Sequence, residues 1–570
     1  MNRTQTLDAL WSFQRSHGYL TDLFVKECAK DLGISTVELE GVISFYHFFR
    51  RQSAGEFTIY INNSIVSECK GYRRIKSAFE RETGATLGQV DPSGKFGLFE
   101  TPCIGLSDQE PAALINFFPF TNLTTLKVKH IVAELKKGTP LHTLSDDVPD
   151  HLRYTPPIDK SICIREYHQG RAVLKLANLG DEGVIEQVKL ASIKGMGGAY
   201  FPTGLKMEAC RSIKAEMKYV VCNADEGEPG TFKDRVLMNK YPGLLLEGMI
   251  ASGYAVGARE GIIYLRAEYY WMMEHLRATI QDFYKRGFLG KSVAGIIGFD
   301  FDIRVQLGAG SYVCGEETAL LNSMEGKRGE PRTKQFYPTE RGFLNQPTLI
   351  NNVETLCAVG RVVELGAQHF LKTGTKNSPG TKLLSISGDC HLPGIYEIEW
   401  GTKISDILNK CQADDPYYIQ ISGPSGVCLS KSEFDRSISM EDVKCGGSFM
   451  IFNSKRDILS ILQNFTAFFK HESCGVCTPC RAGNYIIERK LIRIANGLAY
   501  PADYEEIKRW GEIMRMTSRC GLGQAATNTL SMAIDKFPEF FAQKVDQNGA
   551  GLNMKFNMEQ ALQPYERFKD

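Results

Sequence analysis

Several features are missing from this sequence, and each absence narrows the class of protein. The 67 Lys and Arg residues nearly equal the 66 Asp and Glu residues, so the formal net charge is only +1. This balance gives no sign of the basic patch typical of nucleic-acid-binding proteins. No apolar run approaches the roughly 18 residues of a membrane span, and the start lacks the basic and apolar regions of a signal peptide. We therefore expect a cytoplasmic protein that binds no nucleic acid and does not insert into a membrane.

The chain also lacks internal repeats and low-complexity segments. Its 570 residues predict several domains, and a hydrophobic content of 43% supplies material for more than one core. Its 16 cysteines are not expected to form disulfides in a reducing compartment. Most of them are expected to be buried side chains, because free Cys packs like a small hydrophobic residue.

Changes in hydrophobic pattern predict a multidomain α/β protein. Helical patterns, a strand in "GEFTIYINNS", a further helix and a further strand predict a small α/β domain at the N-terminus. A segment rich in Gly, Pro, Thr, Asp and Ser follows and predicts a linker. Mixed strand-like and helical patterns then predict an α/β domain, followed by a compact β-rich module and a helical end. The predicted boundaries are 1–136, 137–165, 166–378, 379–452 and 453–570.

The stretch "ESCGVCTPCRAG" places Cys474, Cys477 and Cys480 within seven residues. Thiols spaced C-x2-C-x2-C are typical of the first three ligands of a 4Fe–4S cluster. The fourth ligand is expected in a turn elsewhere, and Cys520, in "SRCGLGQ", is the one cysteine that follows Cys480. We therefore predict that these four thiolates hold a metal cluster.

Two other interpretations of these thiols are open. A structural zinc ion also uses cysteines, although usually in two CxxC or CxxC/HxxxH pairs, and buried thiols can be inert. His471 is an alternative ligand to Cys520. A 4Fe–4S cluster carries one electron at a potential anywhere from roughly −700 to +450 mV, so the spacing predicts no direction of electron flow.

A glycine-rich loop, "KGMGGAYFPTGLK", lies in the middle of the chain. It contains Gly195, Gly197 and Gly198 but not the dinucleotide fingerprint, because Tyr200 occupies the last glycine position of that motif. The loop is either an ordinary tight turn or a backbone cradle. In a cradle, exposed N–H groups bind a phosphate or a ring, and Lys206 adds a positive charge.

Two acidic loops follow further along the chain. "NADEGEPGTFKDR" comes directly after a predicted strand, and "GAGSYVCGEETALLNSMEGKRGEPRTK" adds a glycine turn with Glu316 and Glu317. Acidic residues at the carboxyl end of a strand are well placed to bind ligand hydroxyls and ring nitrogens. A solvated charged loop explains either stretch alone. Together the three loops predict a site for a polar ligand with a phosphate and ribityl-like hydroxyls.

These motifs, taken in order, resemble a known family. "GMGGAYFPTGLK", "CNADEGEPGTFKDR", "YVCGEETALL", "GKRGEPR", "PTLINNVETL", "ESCGVCTPCRAG" and "CGLG" resemble the NADH-binding flavoprotein subunit of respiratory complex I over roughly residues 165 to 535. "GVISFYHFF" and "FGLFETPCIGLSDQEPA" resemble the thioredoxin-like partner subunit of that complex. A fusion of the two is most similar to the diaphorase flavin subunits of cytoplasmic NAD-reducing nickel–iron hydrogenases.

The resemblance implies a thioredoxin-like domain after the N-terminal helices, an FMN-binding domain, a β-grasp module and a helical bundle that carries the 4Fe–4S cluster. It implies that FMN is bound by Gly195, Gly197, Gly198, Lys206, Asn223, Asp225, Glu226, Tyr312, Gly315, Glu316, Asn351 and Asn352. It implies that NAD(H), the substrate, is bound by Phe201, Glu228, Glu317, Lys334 and Tyr337.

Three residues depart from the family pattern around the nucleotide. Met196 stands where the family usually has Arg, Tyr200 where it has Gly, and Tyr337 where it has Phe. The first change removes a charge and the second adds a ring, so both concern access of the nucleotide. The third keeps an aromatic face and adds a hydroxyl.

A larger departure lies in the N-terminal domain. The partner subunit of complex I binds a 2Fe–2S cluster through four cysteines, and the matching positions here are Ser64, Cys69, Cys103 and Ser107. Serine holds its proton far more tightly than a thiol and is a poor soft ligand. We therefore expect no 2Fe–2S cluster in this domain, and a structural role in covering the flavin domain or contacting a partner.

The function expected from the resemblance is that of a diaphorase. It consists of hydride transfer between NAD(H) and FMN, followed by one-electron transfer to the 4Fe–4S cluster. Expected partners are an iron–sulfur subunit with further clusters and a nickel–iron hydrogenase heterodimer, because the chain has no second CxxC pair for a nickel centre. Alternatives are the flavin subunit of an NAD-dependent formate dehydrogenase or complex I-like dehydrogenase, and a non-catalytic scaffold that binds nucleotide and cluster.

Overall fold

A computed structural model describes residues 2–545, whose main strands form three sheets. The N-terminal elements are α1 (Thr6–His17), α2 (Asp22–Leu32), α3 (Thr36–Ile43), β1 (Phe57–Asn62), α4 (Ile65–Lys70), α5 (Tyr72–Thr83), β2 (Gln89–Val90), β3 (Phe96–Thr101), β4 (Ala113–Ile115), β5 (Phe118–Phe120), α6 (Thr125–Lys137) and α7 (Leu141–Leu144). The strands form a mixed sheet in the order β2-β3-β1-β4-β5.

Capping residues mark the ends of the helices in this part. Gly18 ends α1 with a φ of 84°, a conformation that favours glycine. At the start of α3, Ser35 Oγ accepts a hydrogen bond from the N–H of Glu38 at 3.1 Å. The strand expected in "GEFTIYINNS" is β1, and Gly84 ends α5.

The first fifty residues pack on the middle of the chain. Leu7, Leu10 and Trp11 belong to the same hydrophobic core as the central sheet, whereas the sheet β1–β5 and helices α5 and α6 have their own core. Trp11 Nε1 donates a hydrogen bond to the carbonyl of Gly308 at 2.9 Å. The N-terminal helices therefore cover one side of the central domain.

The central part is built on a parallel sheet. Its elements are α8 (Arg171–Leu190), α9 (Thr203–Ser212), β7 (Tyr219–Ala224), α10 (Lys233–Lys240), α11 (Pro242–Val256), β8 (Glu260–Leu265), α12 (Met273–Lys285), β9 (Asp302–Leu307), α13 (Glu317–Met324), α14 (Pro338–Arg341), β10 (Thr348–Asn352), α15 (Val353–Leu365) and α16 (Ala367–Phe370). The four strands are ordered β10-β7-β8-β9. All pairs are parallel, so the strands' carboxyl ends meet at one edge. Such strands read as continuous apolar runs because both faces of a parallel sheet are covered.

The third sheet is formed by strands from two parts of the chain. Its first strand precedes the central part, and its other strands follow that part. Its elements are β6 (Leu152–Tyr154), β11 (Thr381–Gly388), β12 (Gly394–Glu399), α17 (Ile404–Lys410), β13 (Pro416–Ile421), β14 (Val427–Ser430) and β15 (Ser448–Asn453), ordered β14-β13-β15-β11-β12-β6. The segment predicted as a linker thus supplies β6, which pairs with β12. Three residues are too few to show an alternating pattern, so the sequence did not indicate this strand. The domain boundaries stay predictions.

The C-terminal part is helical up to the last described residues. Its elements are α18 (Ile458–Glu472), α19 (Thr478–Ala495), α20 (Pro501–Thr517), α21 (Gly521–Ala525), α22 (Asn528–Lys536) and α23 (Pro538–Ala542). Helix α18 has an apolar stripe, in which Ile461, Leu462 and Phe465 are buried. Within residues 2–545, none of the helices has both the length and the apolar character that crossing a bilayer requires.

Candidate functional site

A cavity of about 540 Å³ lies at the carboxyl edge of the parallel sheet. Ligands of open α/β sheets commonly bind at this edge. Residues from the glycine loop, from both acidic loops, from the third sheet and from the start of α21 meet here. The cavity is lined by Gly197, Gly198, Ala199, Asn223, Asp225, Glu226, Gly227, Glu228, Thr231, Lys233, Asp234, Tyr312, Val313, Gly315, Glu316, Glu317, Lys334, Asn352, Ser422, Ser425, Gly446, Cys520, Gly521, Leu522 and Ala525.

Most residues predicted to bind FMN or NAD(H) line this cavity, and five do not: Gly195, Phe201, Lys206, Tyr337 and Asn351. Asn351 and Asn352 are neighbours in β10, where successive side chains point to opposite faces, so only Asn352 reaches the cavity. Lys206 Nζ contacts the cavity-lining Glu317 at 2.5 Å. Phe201 and Tyr337 are exposed.

The glycine loop is open on the cavity side. Gly198 has a φ of +105°, and no atom lies within 4 Å of the position that a Cβ would take. A Cβ on Gly197 would lie only 3.1 Å from the Cβ of Asn352. Met196, one of the family departures, is buried against the core of the third sheet, and its N–H donates to Thr355 Oγ1 at 2.8 Å. Tyr200 takes up a left-handed conformation with a φ of 56°.

Glu228 is a carboxylate of the cavity wall whose pKa is raised by burial. Tyr312 donates its hydroxyl proton to Glu228 Oε2 at 2.5 Å, and the N–H of Ser425 donates to Oε1 at 3.0 Å. Burial nevertheless raises the pKa of Glu228 to about 7. This carboxyl group therefore changes charge close to neutral pH, at the wall of the cavity.

Asp225 and Glu226 are neighbours in sequence, but their carboxyl groups differ in hydrogen bonding. Glu226 accepts hydrogen bonds from the N–H groups of Asp234 and Arg235 at 2.8 and 3.0 Å, and its pKa is raised to about 7, mainly by burial. Asp225 Oδ2 is buried without a hydrogen-bond partner, and burial raises the pKa of Asp225 well above its usual value. Glu226 thus holds the backbone of Asp234 and Arg235 in position. In contrast, Oδ2 of Asp225 has no hydrogen-bond partner.

A buried charge network beside Asn352 was missed by the sequence analysis. Lys233 Nζ lies 2.6 Å from Asp234 Oδ1 and 3.1 Å from Glu354 Oε2. Lys382 Nζ contacts the same oxygen of Glu354. Burial alone would lower the pKa of Lys233, but Asp234 and Glu354 outweigh it and raise that pKa. The sequence "FKDR" gave one signal, three adjacent charged residues after an acidic loop. Glu354 and Lys382, however, are distant from it in sequence.

The four predicted cluster cysteines line a second, smaller cavity. Cys474 and Cys477 lie between α18 and α19, Cys480 in the first turn of α19, and Cys520 just before α21. Burial raises the pKa of Cys480 to about 11, and the neighbouring thiols contribute. Cysteine thiolates are the ligands by which proteins hold iron–sulfur clusters.

The two cavities share part of their walls. Val313, Cys520 and Leu522 line both of them. Tyr312 packs edge-on against Phe468 of α18, with ring centroids 4.9 Å apart. A ligand in the larger cavity would therefore lie next to a cluster ligand, and no further domain would separate them.

Comparison with known proteins identifies the class to which this fold and site belong. Residues 188–361 match the family described as the Nuo51 FMN-binding domain, and residues 460–544 match the family described as the NADH-ubiquinone oxidoreductase-F iron–sulfur binding region. Residues 1–136 match the thioredoxin-like [2Fe-2S] ferredoxin family. The chain is thus a flavin- and iron–sulfur-type oxidoreductase subunit that is linked to NAD.

Similar proteins show which family within this class the chain belongs to. The chain is 43% identical over 586 aligned residues to the NAD-reducing hydrogenase HoxS subunit alpha of Cupriavidus necator, covering 99% of this chain and 96% of that one. It is 37% identical to the NADP-reducing hydrogenase subunit HndC of Solidesulfovibrio fructosivorans, covering 68% of this chain and 81% of that one. The crystal structure of an NAD+-reducing [NiFe]-hydrogenase in the H2-reduced state superimposes with a TM-score of 0.89 at 32% identity, covering 99% of this chain and 96% of that chain. The chain belongs to the family of the alpha subunits of NAD-reducing hydrogenases.

The match of residues 1–136 corrects one prediction. We expected no 2Fe–2S cluster in this domain because Ser64 and Ser107 stand at two of four cysteine positions, but the family matched is that of thioredoxin-like [2Fe-2S] ferredoxins. The prediction was wrong, because family membership follows from the pattern along the whole domain and the argument used isolated positions. In the structure, Cys103 Sγ lies 3.5 Å from Ser107 Oγ. The N-terminal domain is of the cluster-binding class.

Proposed function

We propose that this chain works as the diaphorase module of a nickel–iron hydrogenase, exchanging electrons between NAD(H) and a 4Fe–4S cluster through FMN. The observation that carries the proposal is that Cys520, a cluster ligand, also lines the nucleotide cavity. When bound, FMN exchanges two electrons with a nicotinamide and single electrons with an iron–sulfur cluster. Side by side, the two cavities provide sites for both steps.

Features of the larger cavity support FMN as its cofactor. The open side of Gly198 leaves room for a ring or phosphate to approach the backbone. Asp225 Oδ2 and Asn351 Nδ2 are both buried without a hydrogen-bond partner. Buried polar atoms are normally paired, so a polar ligand is the expected partner of at least the cavity-lining Asp225. The proposed FMN-binding residues are those of the assigned set that line the cavity, with Lys233 as an addition.

Side chains on the cavity wall and close to it in sequence support binding of the nicotinamide nucleotide. Phe201 and Tyr337 are 55% and 73% exposed, which is unusual for large aromatic side chains and leaves faces for stacking. Lys334 is exposed on the cavity wall and supplies a positive charge for a phosphate. Glu228, held by Tyr312, would lie beside the nicotinamide and orient it. No side chain has to accept the hydride, so the protein's task is to stack the two rings and exclude water.

The partners proposed are an iron–sulfur subunit with further clusters and a nickel–iron hydrogenase heterodimer. The solved relative is itself an NAD+-reducing [NiFe]-hydrogenase that matches this chain over nearly its full length. The domain boundaries at 136, 165, 378 and 452 and the cytoplasmic location belong to this proposal.

Metal analysis of the purified native complex tests the proposal. We expect NADH to bleach the flavin absorbance of the anaerobic protein, and nickel to co-purify with its partner subunits. Molybdenum in place of nickel would identify a formate dehydrogenase subunit. Full flavin occupancy without any reduction by NADH would identify a scaffold instead.

A further inference from the structure

Two histidines and a glutamate come together outside the cavities described above. His47 follows α3 in the N-terminal part, whereas His471 and Glu472 form the last turn of α18. One ligand atom from each side chain lies within 4.8 Å of the other two. His47 Nδ1 lies 3.7 Å from Glu472 Oε1, and the two imidazole rings have centroids 4.6 Å apart. The proposed function uses none of these three side chains.

The donor set and its spacing match a divalent transition-metal ion. Zinc binds His nitrogen and carboxylate oxygen at about 2.0–2.2 Å, so two ligand atoms on one tetrahedral ion lie roughly 3.4 Å apart. The measured 3.7 Å between His47 and Glu472 is only a few tenths of an ångström longer. Rotation of exposed His471 would bring the third ligand into place, because its side chain is not packed on all sides.

The surroundings hold the ligands in position. Glu472 Oε2 accepts a hydrogen bond from the N–H of Tyr312 at 2.8 Å, which leaves Oε1 directed towards His47. The backbone N–H of His47 donates to the carbonyl of Gly310 at 3.0 Å. Such outer contacts fix ligand orientation in metal sites.

We propose that His47, His471 and Glu472 bind one Zn²⁺ ion or a similar divalent transition-metal ion, with water as the fourth ligand on the exposed side. The ion would join the N-terminal part to the end of α18, two residues before the first cluster cysteine. It would act as a clamp between these parts and take no part in electron transfer. A simple ion pair of His47 with Glu472 is the competing arrangement.

Cobalt is a suitable probe because its spectrum reports its ligands. The cluster-loaded full chain would be dialysed against Co²⁺, and the difference spectrum recorded against untreated protein. We expect one Co²⁺ per chain with the visible bands of nitrogen and oxygen ligands, displaced by Zn²⁺ but not by Mg²⁺. A thiolate-to-cobalt charge-transfer band, or no cobalt retained, would overturn the proposal.

Substitution of the histidines locates the site. His47→Gln and His471→Gln should each weaken Co²⁺ binding at least about tenfold, since loss of even an outer contact costs that much. His142→Gln, at an exposed histidine of α7, is the matched control and should bind as the parent does. His471 is exposed, so its replacement should not disturb folding, which circular dichroism would check. Unchanged binding in both test variants would refute the assignment.

Discussion

Tyr312 donates its phenolic hydrogen to Glu228 at 2.5 Å while its backbone N–H is held by Glu472. Glu228 lines the nucleotide cavity, and Glu472 ends the helix that leads to the cluster cysteines. Tyr312 therefore connects the expected nicotinamide site with α18, the helix that leads to the cluster cysteines.

Removing the phenolic hydroxyl should weaken the nucleotide site. Tyr312→Phe leaves Glu228 Oε2 without its donor, a loss of about 1–3 kcal/mol for a buried polar group. We expect flavin to stay bound and the rate of flavin reduction by NADH to fall about tenfold, measured by anaerobic stopped flow. Tyr485→Phe, which removes the hydroxyl of an exposed tyrosine in α19, is the control. Equal rates in Tyr312→Phe and the parent would contradict the role of this hydrogen bond.

The raised pKa of Glu228 should appear in the pH dependence of stability. Its pKa is about 7 in the folded protein and 4.5 in the reference state, so between these values the folded protein holds a proton that the unfolded chain has lost. The resulting stabilisation is complete below about pH 4.5 and is lost as the pH rises through about 7. The thermal midpoint of Glu228→Gln should therefore fall less than the parent's from about pH 5 to about pH 8.

Glu226 has a raised pKa in the same range, so the parent's curve contains both groups. Comparison with Glu228→Gln isolates the contribution of Glu228. Glu186→Gln, at an exposed position of α8, should keep the parent's pH dependence. Identical slopes in Glu228→Gln and the parent would show that Glu228 is ionised throughout.

Loss of one thiol should interrupt electron exit. Cys477→Ser replaces a soft ligand by a hydroxyl that binds iron poorly. We expect normal flavin content and normal flavin reduction by NADH, but loss of electron transfer to the partner subunits, measured with a reconstituted complex. Cys445→Ser, at a cysteine of the third sheet, is the control for thiol loss. Normal relay in Cys477→Ser would disprove the cluster assignment.

The glycine cradle should not tolerate a side chain. Gly198 has a φ of +105°, a conformation that costs roughly 1–3 kcal/mol for other residues. Gly198→Ala should therefore lower FMN affinity about tenfold or more, measured by fluorescence titration of the apoprotein. Gly257→Ala, at the positive-φ end of α11, carries a similar backbone cost away from the cavity and should bind FMN normally. Equal affinities in the two variants would show that the loop does not contact FMN.

The buried lysine should be important for stability. Lys233→Met leaves Asp234 and Glu354 with an uncompensated buried charge, which costs about 3–5 kcal/mol. We expect a lower thermal midpoint and weaker flavin retention. Lys240→Met, at an exposed lysine of the same helix, should change neither. A parent-like midpoint for Lys233→Met would mean that Lys382 alone neutralises Glu354.

The sequence by itself determined the local features of this protein. The C-x2-C-x2-C run, the apolar stripe of α18, the glycine at the end of α1 and the strand-like runs of the parallel sheet are all set by neighbours within a few residues. Short-range spacing is sufficient to predict such elements, because helix periodicity, capping and chelation act over one or two turns. The four candidate cluster ligands could be named for the same reason, because Cys520 is the one cysteine that follows Cys480; their role as ligands stays a prediction.

Only the tertiary structure decided how these parts meet. Cys520 lies in the walls of both cavities, Ser425 of the third sheet contacts Glu228, and His47 lies beside His471 although 424 residues separate them. Which of Asn351 and Asn352 reaches the cavity depended on the register of β10 against its neighbours. Contacts of this kind arise from packing of whole domains, and packing leaves no periodic trace in the sequence.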